Sequence, residues 1–190
     1  MTPIVAQVRK LYEPQLFPGA RIHGTFAKYF GDPESRVASD VCTVGFEPNP
    51  KHKQHLKAIS ESYATCGIRV IMMTRTGVGA RDKTATYVPL NTFYGVDLGH
   101  DVSGRFLDDD ENILDIKRQK NIEEYGIEYR DAVEDINVVR LSTYLLETVR
   151  GRRLPAKAAV ITPRVLVKMD IEGAEYELLP DLIITGALRY

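Results

Sequence analysis

Three observations predict an α/β fold, a layered sheet with helices on both faces. Branched apolar runs at residues 41–46, 68–73 and 165–167 have the length and composition of buried strands. A helical stretch separates the first two runs, which makes them a parallel crossover unit. The third ends abruptly in Asp170, Glu172 and Glu175, three carboxylates around Gly173. Ligands of open α/β sheets sit just beyond the carboxyl ends of the strands, so these acids are expected where chemistry happens.

The elements follow in order. Ile4, Val5, Val8, Leu11 and Tyr12 recur at helical spacing and predict an amphipathic helix ended by Pro14. After the strand at 41–46, Asn49 is placed to cap a helix and Pro50 to occupy its first turn. That helix should run to about Cys66, with His52, Leu56, Ile59, Tyr63 and Cys66 on its apolar side and Gly67 as its stop. Strands are expected at 68–73 and, after a turn at 81–83, at 84–88. From Asn91 to Arg130 glycines, acids and lysines predict an irregular, exposed insertion with one short helix at most. A further strand at 133–141 leads to a helix from Thr143 to about Arg150, capped by Ser142. A basic linker then reaches the strand ending at Asp170, and residues 174–179 open a last helix. No internal repeat or low-complexity tract is present.

Composition narrows the function. With 190 residues, 44% of them hydrophobic, one domain spanning 1–190 is expected. Twenty-five basic against twenty-six acidic side chains leave a net charge of -1, so no broad field attracts nucleic acid or an anionic membrane. Cys42 and Cys66 lack the density of a disulfide scaffold and the pairing of a metal site, and are expected to be reduced core thiols. No apolar run approaches the roughly 20 residues that span a bilayer, and the first ten residues lack a secretory layout. A cytoplasmic protein is the resulting default.

Several residues are candidates for chemistry. Glu47 follows a strand directly, where an acid accepts hydrogen bonds from the hydroxyls of a ribose in a Rossmann-like sheet. Gly24 precedes it by about the 20 residues that separate such an acid from its glycine turn. The alternative for Glu47 is a solvated charge at a helix start. Residues 18–25 contain Gly19 and Gly24 but no strand leads into them, so an ordinary surface turn is the alternative to a ligand cradle. Asp170, Glu172 and Glu175 suit a divalent cation, ligand hydroxyls or a general base, whereas Glu172 and Glu175 also suit a helix dipole. The run Asp108, Asp109, Asp110 and Glu111 invites a metal-dependent sugar-nucleotide reading, against a solvated loop. His23, His52, His55 and His100 show no zinc spacing.

Residues 45–50, Gly-Phe-Glu-Pro-Asn-Pro, together with 167–179, Val-Lys-Met-Asp-Ile-Glu-Gly-Ala-Glu-Tyr-Glu-Leu-Leu, resemble the FkbM-like methyltransferases. The similarity runs from about Gly19 to Leu188, with residues 77–86 resembling the family's turn and strand after the second crossover. It implies a class I enzyme on a Rossmann-like three-layer sandwich with a mostly parallel sheet, using S-adenosylmethionine to methylate a hydroxyl of a sugar or small natural product. Carried over by position, Glu47 takes the cofactor ribose, Gly19 and Gly24 belong to the cofactor loop, and Gly77 and Val78 lie near the adenine. Asp170 faces the methyl group and acceptor as candidate base, Glu172 and Glu175 shape the acceptor side, and no metal is implied.

The chain departs from the family at two places. A strand running into an acid and a Gly-Ala-Asn-x-Gly loop is normal for the family. Residues 17–25 keep Gly19, Ala20 and Gly24 with neither acid nor asparagine. Family sheets also continue beyond the helix that here precedes Tyr190, so the sheet is expected to be incomplete. A catalytically inactive relic or binding module is the rival expectation.

Overall fold

A computed structural model describes residues 3–34, 41–89, 104–106, 134–152, 164–171 and 174–189. They belong to two compact units, one of Met1–Thr76 with Thr84–Asn137 and one of Gly77–Lys83 with Val138–Tyr190. The secondary structure is α/β, with a parallel strand pair and a small sheet that includes antiparallel pairing.

In the first unit, α1 (Pro3–Tyr12) forms on the stripe of Val5, Val8 and Leu11, all buried, and Pro14 opens a short 3-10 turn, Pro14–Leu16. A second helix, α2 (Ile22–Phe30), replaces the second half of the surface turn expected at 18–25. Its cause is an apolar stripe at four-residue spacing, Ile22, Phe26 and Phe30, which packs with Tyr12 around Leu11, Phe26 and Val41.

Strand β1 (Cys42–Glu47) pairs in parallel with β2 (Arg69–Thr74), from Cys42 opposite Arg69 to Glu47 opposite Thr74. The crossover between them is a 3-10 turn, Pro50–His52, leading into α3 (Lys53–Thr65), as the capping pattern predicts. The Asn49 Oδ1 accepts from the Lys51 amide at 3.0 Å, satisfying a donor that a helix start leaves orphaned. Leu56 is fully buried, and Gly67 stops the chain after the helix at φ 73°, a conformation L side chains rarely adopt. Gly45 matters for a different reason. A Cβ there would meet Ile4 Cγ1 and Met72 Sδ, each at 2.9 Å, so glycine lets α1 approach the strand. The hydroxyls of Tyr12 and Thr43 share a hydrogen bond of 3.1 Å along the same approach.

Four more strands, β3 (Thr76–Gly79), β4 (Lys83–Pro89), β5 (Gly104–Phe106) and β6 (Glu134–Arg140), stand in the order β3, β6, β4, β5. Strands β4 and β5 are antiparallel, with Tyr87 opposite Phe106. Strands β4 and β6 match expected runs. Strand β3 does not, because Thr-Gly-Val-Gly carries two glycines that weaken any strand signal. Strand β5 lies within the stretch expected to be irregular, and residues 91–103 and 107–130 lie outside the described residues.

In the second unit, the end of β6 runs into α4 (Leu141–Thr143) and a π-helical continuation, Tyr144–Val149. Ser142 is not its cap as expected. It lies inside the first turn, buried, and its hydroxyl donates to Asp181 Oδ2 at 2.5 Å. The last helix, α5 (Glu175–Ile184), forms where residues 174–179 predict it and buries Leu178 and Leu182 completely.

Two further expectations are corrected. Val165, Leu166 and Val167 are not a buried strand but an exposed run without strand pairing, 39%, 36% and 37% accessible. No described strand pairs with it, so its peptide groups lack the ladder that makes a strand. Cys42 and Cys66 are free thiols but exposed, since one begins β1 and the other follows the last residue of α3, both at element ends. Among the described residues, no helix is long and apolar enough to cross a membrane.

Candidate functional site

The carboxyl end of the parallel pair presents Glu47, half-buried, as the last residue of β1. Its Oε1 accepts from the Asn49 backbone amide at 2.9 Å, so the turn Glu47-Pro48-Asn49 holds the carboxylate in place. Pro48 and Pro50 stiffen that turn by fixing their own φ. Burial pushes the Glu47 carboxyl above the usual carboxylate range, opposed by the Asn49 amide and by the charge of His52. A carboxylate in such a setting makes stronger hydrogen bonds to whatever donor reaches it. Asn49 is 1% exposed, and its Nδ2 is a buried donor with no partner among the described residues. A donor left this way costs stability that a ligand acceptor can restore.

At the end of β2 lies a cavity of about 450 Å³ lined by Lys53, Thr74, Arg75, Thr84, Asp135, Ile136 and Asn137. Arg75 joins β2 to β3 and is the one described non-glycine residue at positive φ, 54°. Neither cation carries a motif, and the only sequence signal is an arginine set between threonines where one strand ends and another begins.

Gly19 stays in an exposed turn, whereas Gly24 falls in the first turn of α2. A Cβ at either position meets nothing within 4 Å among the described residues, so none of those requires glycine there for a close backbone approach. Gly24 lines a second cavity of about 350 Å³ with Lys10, His23 and Asp32.

Gly77, Val78, Asp170 and Glu175 belong to the second unit. Gly77 and Val78 are buried in the middle of β3, in a strand rather than a turn. Asp170 is exposed, and its Oδ2 lies 2.5 Å from Lys168 Nζ. Glu175 is the first residue of α5, and its Oε1 accepts from the Ile171 amide at 3.0 Å, the geometry of an acid that secures a helix start. Glu172 and the acids at 108–111 lie outside the described residues. Among the described residues, no three His, Cys, Asp or Glu side chains are placed together to hold a metal ion.

No family model, curated protein or solved structure matches the chain.

Proposed function

We propose that this chain is an S-adenosylmethionine-dependent methyltransferase of Rossmann-like architecture that acts on a hydroxyl of a sugar or small natural product. The observation that carries the reading is Glu47, an acid fixed by its own turn at the carboxyl end of a parallel β-α-β unit. Ribose hydroxyls suit it, because they donate to the carboxylate and accept from a buried donor such as Asn49 Nδ2. The cofactor, when bound, supplies an activated methyl group. The chain's own part is then to align an acceptor hydroxyl and to receive its proton, with Asp170 as base and Glu172 and Glu175 on the acceptor side. Lys168 holds the same Asp170 carboxylate and must yield or move for that role.

A second reading, a binding module without a competent cofactor loop, is favoured by the open surroundings of Gly19 and Gly24. Calorimetric titration with S-adenosylmethionine and with its demethylated product separates the two. Saturable heat with a raised melting temperature is expected. In folded protein, neither heat nor a shift removes the enzyme reading and leaves the binding module.

A further inference from the structure

We propose that the cavity at the end of β2 binds a small molecule through a phosphate group, either a phosphomonoester or a pyrophosphate. This assignment does not rest on methyl transfer.

The lining of this cavity includes two cations from different elements, Lys53 at the start of α3 and Arg75 at the β2–β3 corner. They complement each other chemically: the ammonium is a compact point charge, and the guanidinium is a rigid fork that matches two phosphate oxygens. Thr74, Thr84 and Asn137 add neutral polar groups beside a single apolar residue, Ile136, so the described lining suits an oxyanion with attached hydroxyls better than an apolar body.

Arg75 points the same way. Its backbone sits in the left-handed region, which disfavours any residue with a side chain other than asparagine or aspartate. Its side chain is exposed, so apolar burial does not account for an arginine there. The corner is nonetheless held: Arg75 O accepts from the Asn137 amide at 3.2 Å, and Arg75 Nη2 donates to Asp135 O at 3.2 Å. The bond to Asp135 O steadies the guanidinium at this corner. A chain of net charge -1 provides no extended field, so the charge that recognises a phosphate here is local. Asp135 is the one acid among the described lining residues, and it sets the sign of a further test.

The experiment is calorimetric titration of the full chain with sodium pyrophosphate at low and raised ionic strength. Saturable binding that weakens with salt is expected. Arg75→Asn and Lys53→Gln should each weaken it by roughly tenfold or more, the scale of a charge-assisted hydrogen bond. Asp135→Asn should tighten it by removing the opposing charge. Asparagine tolerates the left-handed backbone but gives up the bond to Asp135 O, so the melting temperature of each variant is measured beside its affinity, and Lys53→Gln, which leaves that bond in place, separates lost affinity from unfolding. Absence of saturable binding, or affinity unchanged in both cation variants, overturns the proposal. Tighter binding of a single-stranded oligonucleotide than of pyrophosphate overturns the small-molecule assignment. No arm contains S-adenosylmethionine, so failure here is distinct from failure of the methyltransferase reading.

Discussion

Asp181 on α5 accepts hydrogen bonds from both Arg140, the last residue of β6, and Ser142 in α4, with Arg140 Nη2 at 2.5 Å from Oδ1 and Ser142 Oγ at 2.5 Å from Oδ2. One carboxylate therefore fastens the helix to the junction of a strand and another helix. Arg140 also donates its backbone amide to Asp82 at 2.8 Å, which fixes the same residue from the other side.

The Asp181 network sets a pH dependence. The Arg140 hydrogen bonds hold the Asp181 carboxyl below its usual range, with Ser142 adding to them against burial. A depressed folded-state pKa means that the contribution is present in full above the unfolded value of about 3.9. It is lost as pH falls from there through the folded value. Thermal melting of Asp181→Asn against wild type should show the largest deficit near neutral pH, closing below about pH 4. A deficit that stays constant with pH contradicts the ion pair as its source.

Tyr63 and Glu13 give the corresponding test in the first unit. The Tyr63 hydroxyl donates to Glu13 Oε1, and Arg9 Nη2 lies 3.1 Å from Oε2, so the end of α1 is tied to α3. Burial first, and then the Glu13 carboxylate, push the Tyr63 phenol well above its ordinary range. Tyr63→Phe keeps the ring and leaves the carboxylate one donor short. It should cost about 1 kcal/mol in urea unfolding. Unchanged stability would mean that water replaces the hydroxyl without loss.

Gly45→Ala tests the close approach of α1 to β1. The new methyl must displace Ile4 and Met72 side chains. A loss of about 1–3 kcal/mol is expected for overpacking a buried site, read from denaturant midpoints. Stability equal to wild type would show that α1 stands off the strand.

The first unit was the more legible in sequence because its signals are local and strong. Val5, Val8 and Leu11 mark a helix by period alone, and Asn49 with Pro50 marks a start by chemistry that acts within three residues. Helix α2 was hidden by Gly19 and Gly24, whose turn signal competes with the stripe of Ile22, Phe26 and Phe30. The run at 165–167 shows the opposite error. Branched apolar residues predict a strand only if a neighbour supplies the ladder, and that condition is tertiary. Among the candidate site residues, Glu47 was legible because a strand and a turn place it. Lys53 and Arg75 were not, since they meet in one cavity only through the packing of α3, β2 and β6.

Glu47 carries the central claim, as a ligand acid rather than a helix-start charge. Its raised pKa means that the folded state disfavours the charged form, so its cost to stability grows as pH rises from the unfolded value of about 4.3 through the folded one. Glu47→Gln keeps an oxygen for the Asn49 amide and removes that charge, so at neutral pH it should melt at or above wild type. The decisive measurement is calorimetric titration of S-adenosylmethionine into wild type and Glu47→Gln at neutral pH. Saturable binding to wild type and binding roughly tenfold or more weaker to the stably folded variant is predicted, the scale of a hydrogen bond to a charged group. Equal affinity in the two proteins, or no binding to wild type, would contradict it.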